Sequence, residues 1–251
     1  MVDISPWPFY SSFFSFLFVL SNVIFFSGKV FFFFFLTFSL FIFFQWWRDV
    51  SRESCFFGSH STLVYSGIGI GIILFIVSEL FLFFSFFWSF YHFGLRPSSD
   101  LGQFWPPVGL LSFDPLGVPF LNTLVLLSSG VTVTFSHNYF IDGNYFGGFM
   151  GLILTVILGV YFTLLQVMEY IESFFCLRDC CYGRVFFIGT GSHGAHVIIG
   201  SIFLLVRLFR FFFFHNGFIQ ILGFDLSVWY WHFVDVVWLF LYVSFYWWGS
   251  C

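Results

Sequence analysis

The sequence predicts an all-α, polytopic membrane protein, and two features of the chain carry that prediction. Only 8% of the 251 residues are charged and 60% are hydrophobic, whereas a soluble domain carries roughly 25% charged residues. The apolar residues are also gathered into long stretches, and about 20 such residues span a bilayer as a helix. With 8 Lys and Arg in total and no basic patch, the chain is not expected to bind nucleic acid.

Seven segments meet this length and are predicted to span the membrane. They cover residues 9–27, 30–47, 62–92, 116–138, 146–172, 183–213 and 226–248. The first two are separated only by Ser27, Gly28 and Lys29, which predicts a tight antiparallel hairpin. The third, fifth and sixth exceed the thickness of a bilayer, so we expect them to tilt or to protrude into the interface.

Two polar breaks separate the predicted segments. The first, Arg48 to Ser61, contains the string RDVSRES. The second, Gly94 to Pro115, holds four prolines, and proline in a helix interior removes a hydrogen bond and clashes with the preceding turn. We therefore expect the second break to be an ordered surface loop without continuous helix.

Glu79 lies in the middle of the third segment, far from both polar borders. A carboxyl group at that depth is expected to be neutral or paired. It is either a proton carrier, an acid that meets a polar partner in a cleft, or a neutral acid that ties two helices together. In the same segment Gly67 and Gly71 are four residues apart, and this spacing favours close approach of another helix.

The last segment carries His232 and Asp235, three residues apart and therefore on one helical face. Ionisable groups within a spanning helix turn toward protein, water or lipid headgroups, so this polar side must be covered. His193 and His196 also share a face. Axial haem ligation is one hypothesis for such histidines; a hydrogen bond to a carbonyl or a lipid phosphate is the hypothesis we favour.

Three further groups bear on chemistry. Cys176 and Cys180 in CLRDCC are four residues apart, but no second Cys or His pair at metal spacing accompanies them. Glu169 and Glu172 close the fifth segment and are predicted to be an interfacial acid pair that meets solvent or Arg178. The motifs GxSxG, HExxH and the Walker loop do not occur in the sequence, so no ordinary hydrolase or NTPase site is expected.

Distinctive strings run in order along the chain: SPWP (5–8), QWWRDV with RES (45–54), SELFLFFSFFWSFYH (78–92), WPP (105–107), PLGVPFLNT with LLSSGVTVT (115–134), GVYFTLLQVMEYIE (159–172), TGSHGAHVIIGSIFL (190–204) and WYWHFVDVVWLFLYVSFYWWGS (229–250). In this order and at this spacing they resemble subunit III of mitochondrial cytochrome c oxidase. The resemblance covers essentially the whole sequence, and its closing string is the most specific.

The resemblance implies seven transmembrane helices in a two-helix plus five-helix arrangement, with a V-shaped cleft filled by phospholipid. Residues 1–60 would form the hairpin with a matrix-side loop, and residues 61–251 the five-helix bundle. It further implies a non-catalytic subunit without haem or copper of its own, which packs on subunit I among the other complex IV subunits. That complex transfers electrons from cytochrome c to oxygen and pumps protons across the mitochondrial inner membrane.

The resemblance also assigns roles to residues. Glu79 falls on the buried cleft glutamate of the family, and Trp47, His60 and Arg210 fall on positions that hold lipid headgroups. Basic residues are divided equally between the two membrane faces, so they do not set the orientation; the family's matrix-side N-terminus does. The 49 Phe residues indicate a T-rich genome and therefore a gene encoded in the organelle.

Two other classes of protein remain as alternatives. A stand-alone proton-coupled carrier could use Glu79 and Asp235, and such carriers are expected to contain broken helices or an internal repeat. A haem-binding electron carrier would use the histidines. A visible spectrum of the isolated chain separates this second alternative from the subunit, because a haem protein has a Soret band.

Overall fold

The computed structural model describes residues 4–25, 32–55, 57–58, 60–97, 102–107, 109–212 and 222–250, and all regular structure in these ranges is helical. Seven α-helices follow in order: α1 Trp7–Phe25, α2 Phe32–Cys55, α3 Thr62–Leu95, α4 Val118–Ile141, α5 Tyr145–Ile171, α6 Cys181–Phe212 and α7 Leu222–Leu241. Over the described residues, six are long and apolar enough to cross a membrane, all except α2. The prediction of an all-α polytopic membrane protein is confirmed.

The chain divides into two compact units, Met1–Ile68 and Gly69–Cys251, with the boundary inside α3. In the first unit α1 and α2 form an antiparallel pair. The Phe14 and Phe38 rings stack with centroids 5.4 Å apart, and the Ser39 hydroxyl donates to the Phe14 carbonyl at 3.4 Å. The predicted hairpin is thus confirmed for its helices, while its turn at Ser27 to Lys29 lies outside the described residues.

The connection between α2 and α3 begins later than the first polar break, because the backbone of α2 stays helical through RDVSRES to Cys55. Near its end the helix is fixed by a hydrogen bond of 2.8 Å from the Trp7 indole nitrogen to Asp49. Arg52 lies in the last turn, where a cation interacts favourably with the helix dipole. A charged run therefore marks the end of the apolar part of α2, but not the end of the helix.

The second unit is built around α7, which continues through a π-helical stretch, Tyr242–Trp247, to a 3-10 turn at Trp248–Ser250. In the apolar stretch of Leu222–Ser250 that could cross a membrane, 61% of the residues are buried within the protein, whereas the corresponding share is 44% or less in each of the other five spans. The side chain of Trp231 is fully buried. A Cβ atom on Gly159 of α5 or Gly200 of α6 would lie 2.7 or 3.0 Å from its ring, so both helix backbones lie against this indole.

Helices α4 and α5 are joined by a tight turn. Gly143 has a φ of +77°, a conformation that glycine adopts without a steric penalty. The side chain of Asn144 then caps α5 by accepting a hydrogen bond from the Gly147 N–H at 3.2 Å. This turn places α4 and α5 side by side and antiparallel.

The proline-containing break is an ordered loop without helix over its described residues, 96–97, 102–107 and 109–117, as predicted. Trp105 packs edge-on against Phe90 of α3 at 5.5 Å and also against Tyr182 at 5.5 Å. Phe113 stacks on Phe186 of α6 at 5.4 Å. The loop is therefore anchored by aromatic side chains to the ends of α3 and α6.

Candidate functional site

Glu79 has a partner on another helix. Its Oε2 atom lies 2.8 Å from Nε2 of His196 on α6, and the two side chains are 20% and 12% exposed. The His196 ring also lies 5.2 Å from that of Phe83, which follows Glu79 by one turn of α3. The carboxyl group and the imidazole therefore form a polar contact within an apolar and aromatic environment.

The second nitrogen of His196 defines the protonation of this contact. Nδ1 lies 2.7 Å from the Ser192 carbonyl oxygen, which can only accept, so Nδ1 carries a hydrogen. In a neutral imidazole Nε2 is then an acceptor, and it can receive a hydrogen bond only from a protonated Glu79. The alternative is an ion pair, in which both imidazole nitrogens carry a hydrogen and Glu79 is a carboxylate. In either case one proton lies between Nε2 of His196 and Oε2 of Glu79.

His193, one turn before His196, serves the packing of α7. Its Nε2 atom donates to the Val234 carbonyl at 3.1 Å, and its ring lies between Phe162 and Trp238 at centroid distances of 5.7 and 5.1 Å. The side chain is fully buried. A hydrogen bond to a carbonyl, one of the two predicted roles of these histidines, is thus confirmed for His193.

Helix α4 lies against the polar side of α7 and covers it in part: it buries Asp235, whereas the His232 side chain is 43% exposed. Nδ1 of His232 lies 4.0 Å from Oδ2 of Asp235, and its Nε2 lies 3.4 Å from the hydroxyl of Thr134. Asp235 itself is buried at 6% exposure. A Cβ atom on Gly130 would lie 2.7 Å from its Oδ2 atom, so the small residue on α4 makes room for the acid.

The prediction that Glu169 is an interfacial acid was wrong. Glu169 is only 3% exposed, and its Oε2 atom accepts a hydrogen bond of 3.1 Å from the Gln166 amide. That amide also donates to the Tyr246 hydroxyl at 3.3 Å. Glu169 points inward because it lies one helical turn from Gln166, so both side chains face the end of α7. Glu172, by contrast, is exposed beyond the end of α5.

The glycine pair of α3 is open in the described part of the chain, and the cysteine cluster lies around the start of α6. No atom of the described residues lies within 4 Å of a Cβ atom placed on Gly67 or Gly71, so no described helix makes the predicted close approach. Cys176 lies in the turn between α5 and α6 rather than on a helix with Cys180. Across the described ranges no group of three or more Cys, His, Asp and Glu could hold a metal ion.

Of the three residues predicted to hold lipid headgroups, His60 and Arg210 lie at helix ends, whereas Trp47 lies within α2. Trp47 is 63% exposed and directly precedes the charged run of α2. His60 comes two residues before the start of α3, with its ring 6.1 Å from that of Tyr65. Arg210 is half-buried in the last turn of α6. Trp47 and His60 belong to the first unit and Arg210 to the second.

The sequence pointed to the acids but not to most of their partners. Glu79 and His196 are 117 residues apart, and Thr134 and His232 are 98 apart. The contact of His137 with Asp225, at 2.8 Å, was also missed. Each of these side chains lies in or beside a predicted spanning segment, and a polar side chain at such a position was the available signal.

Comparison with known proteins gives one consistent result. The family model described as cytochrome c oxidase subunit III matches residues 1–250. The chain is 51% identical to cytochrome c oxidase subunit 3 of Scyliorhinus canicula, 49% identical to that of Equus caballus and 48% identical to that of Anopheles gambiae. Each comparison covers the whole of this chain and 96% or 97% of the relative.

Proposed function

Because the chain belongs to the cytochrome c oxidase subunit III family, we propose that it is a non-catalytic, cofactor-free subunit of complex IV. In this role it packs on subunit I in the mitochondrial inner membrane. It supports the subunits that carry electrons from cytochrome c to oxygen and pump protons, and it binds structural phospholipid.

The observation that carries the non-catalytic role is the engagement of the histidines within the membrane. His193 donates to a carbonyl of α7, His196 meets Glu79, and His232 meets Thr134. A haem ligand presents an imidazole nitrogen to the iron, whereas the Nε2 atom of each of these three histidines faces a group of this chain. The side chains therefore act between helices, where polar contacts hold transmembrane helices together.

A second observation supports assembly with other subunits. Only 6% of the residues in the membrane-crossing stretch of α3 are buried within the described chain. Trp88, Phe81 and Leu74 on this helix are each more than 60% exposed. Lipid or another membrane protein must cover such a surface. Three glycines of α3, at 67, 69 and 71, also leave space beside the helix backbone, which suits close approach by a helix of a partner subunit.

Purification of the tagged chain tests this role. In mild detergent the chain is expected to co-purify with a haem–copper complex whose visible spectrum includes a Soret band. After separation in stronger detergent, the band should stay with the partner subunits, and His193→Leu should leave it unchanged in the intact complex. A Soret band in the isolated chain, or a functional monomer in the membrane, would overturn the proposal.

We further propose that Trp47, His60 and Arg210 hold the headgroup of a phospholipid. Arginine can bind a phosphate through two parallel hydrogen bonds, and tryptophan is enriched at headgroup level. Trp47 lies about two turns before the end of α2, and His60 lies just before the start of α3. Counting α3 to α6 as successive spans returns the chain to the same membrane face at Arg210. Glu79, about five turns along α3 from Thr62, would then line the cleft beside the acyl chains.

Loss of bound lipid is the expected result of removing both cationic side chains. The double substitution His60→Ala with Arg210→Ala should release tightly held phospholipid from the purified complex and leave its haem spectrum intact. Lipid phosphorus per haem is the measurement. Arg184→Ala is the matched control, since Arg184 is exposed near the opposite end of α6. Equal lipid content in the double variant and the control would show that these residues hold no headgroup.

A further inference from the structure

A strip of polar side chains runs along the contact between α4 and α7. We call it the α4–α7 strip, and it consists of His137 and Thr134 on α4 with Asp225, His232 and Asp235 on α7. Four of its five members are titratable. Ionisable groups in spanning helices are energetically costly and usually functional, and among these four only His232 and Asp235 were expected from the sequence.

The members follow one another from the membrane border inward. At the outer end Nε2 of His137 lies 2.8 Å from Oδ1 of Asp225, where α4 is about to end and α7 has just begun. His232 lies seven residues further along α7, which is roughly 10 Å deeper at 1.5 Å per residue. Its imidazole contacts Thr134 and leads to Asp235, one turn deeper still.

The inner end of the strip is a buried acid with an unused oxygen. The Asp235 side chain is 8% exposed, and its Oδ1 atom is buried without a hydrogen-bond partner among the described residues. Oδ2 faces Gly130 on α4 and His232 on its own helix. Within the described ranges no cation lies within salt-bridge distance of this carboxyl group except the imidazole, when that ring is protonated.

We propose that Asp235 is an internal proton-binding site, and that it exchanges its proton through His232 with the membrane surface at which α4 ends and α7 begins. The site lies apart from Glu79 and extends beyond the structural role proposed above. Its ligand is a single proton. His137 and Asp225 form the entrance, and His232 is the positioning and relay group.

The relay conserves protons. When Asp235 is a carboxylate, the neutral His232 ring presents its Nδ1–H to Oδ2 and its bare Nε2 to the strip. A proton then binds at Nε2, and the Nδ1 proton passes to Oδ2. The resulting Nε2–H donates to the Thr134 hydroxyl, which itself donates to the Gly130 carbonyl at 2.7 Å. The carboxyl group has gained one proton and the imidazole is again neutral.

The exposure of His232 suits it for this step. Its side chain is 43% exposed, so the ring has room to rotate and to shorten its 4.0 Å separation from Asp235. His196 at Glu79 differs, because its Nδ1–H is held by the Ser192 carbonyl at 2.7 Å. A ring held in this way cannot exchange one nitrogen for the other, so Glu79 lacks the relay that Asp235 has.

Hydrogen–deuterium exchange of buried carboxyl groups in the purified complex tests the proposal. Infrared spectra recorded after transfer to D2O would follow the protonated carboxyl band that disappears in Asp235→Asn. In His232→Gln, which keeps a hydrogen-bonding side chain but cannot relay a proton, exchange of this band should slow by roughly 10²-fold. The buried acid Glu169, which accepts a hydrogen bond from the Gln166 amide, provides the control band through Glu169→Gln.

The results that decide the proposal are distinct. Slower exchange at Asp235 with unchanged exchange at Glu169 supports it. Equal exchange rates in the protein and in His232→Gln would overturn it, as would the absence of a protonated Asp235 band at every pH at which the complex is intact. If His232→Gln does not assemble, Thr134→Val removes the group that receives the Nε2–H and should also slow exchange, and normal exchange in that variant would overturn the relay.

Discussion

Replacing Trp231 with alanine is expected to lower the free energy of unfolding by about 3 kcal/mol and to reduce the amount of this chain in the complex. The indole is fully buried, and its nitrogen donates to the Ser129 hydroxyl at 3.0 Å. Truncating a buried tryptophan costs about 3–5 kcal/mol in soluble proteins. We expect the lower end here, because lipid tails are as apolar as the protein interior and mainly the packing is lost.

An SDS titration of the purified complex, with release of the chain as its readout, measures this effect. Trp229→Ala is the matched control, since Trp229 precedes Trp231 by two residues and is 44% exposed. Gly159→Val tests the same contact from the other side, because even the first added carbon would lie 2.7 Å from the indole; overpacking costs about 1–3 kcal/mol. Equal effects of the Trp231 and Trp229 substitutions would show that the indole does not organise the bundle.

Separating Glu79 from His196 is expected to produce the second large effect. In Glu79→Ala the Nε2 atom of His196 loses its donor, and an unsatisfied buried polar group costs about 1–3 kcal/mol. Glu79→Gln should cost less, because the amide N–H can still donate to Nε2. A double-mutant cycle with His196→Leu and Glu79→Ala isolates the interaction, and a coupling free energy of about 1–2 kcal/mol is expected for residues in direct contact.

Infrared spectroscopy determines where the shared proton lies. We expect it on Glu79, since an ion pair would require two groups to be desolvated within an apolar environment. A protonated carboxyl band should therefore disappear in both Glu79→Gln and Glu79→Ala and remain in Glu172→Gln, which alters an exposed acid. A carboxylate band lost in Glu79→Gln, with no protonated band lost, would show the ion pair instead.

The sequence predicts helices well because lipid imposes a minimum length on them and requires every backbone group to be bonded within the helix. It also predicts that Asp235 and His232 turn toward protein. Helix ends are harder to predict, as α2 shows. Arg48 and Asp49 end the apolar segment, but the backbone remains helical to Cys55 because charged residues are compatible with a helix outside the hydrocarbon region.

Helix pairing could not be predicted from spacing alone. The isolated position of Glu79 predicts a partner, but several polar side chains on other helices were equally available to it. Glu169 was misplaced for a related reason. Its position near the end of α5 predicts exposure, whereas the contact between the end of α7 and Gln166 buries it. Gly67 and Gly71 have a spacing typical of helix contacts, yet close approaches are made at other glycines, among them Gly159 and Gly200.

The central position of α7 has a consequence for the order of synthesis. Helices α4, α5 and α6 leave the ribosome before the element against which their inner faces pack. Until α7 is inserted, Ser129, Gly159 and Gly200 face lipid or each other instead of the Trp231 indole. A nascent chain stopped before Leu222 should therefore hold its helices in the bilayer without a fixed bundle and remain sensitive to membrane proteases. The bundle should become resistant within the synthesis of a single further helix.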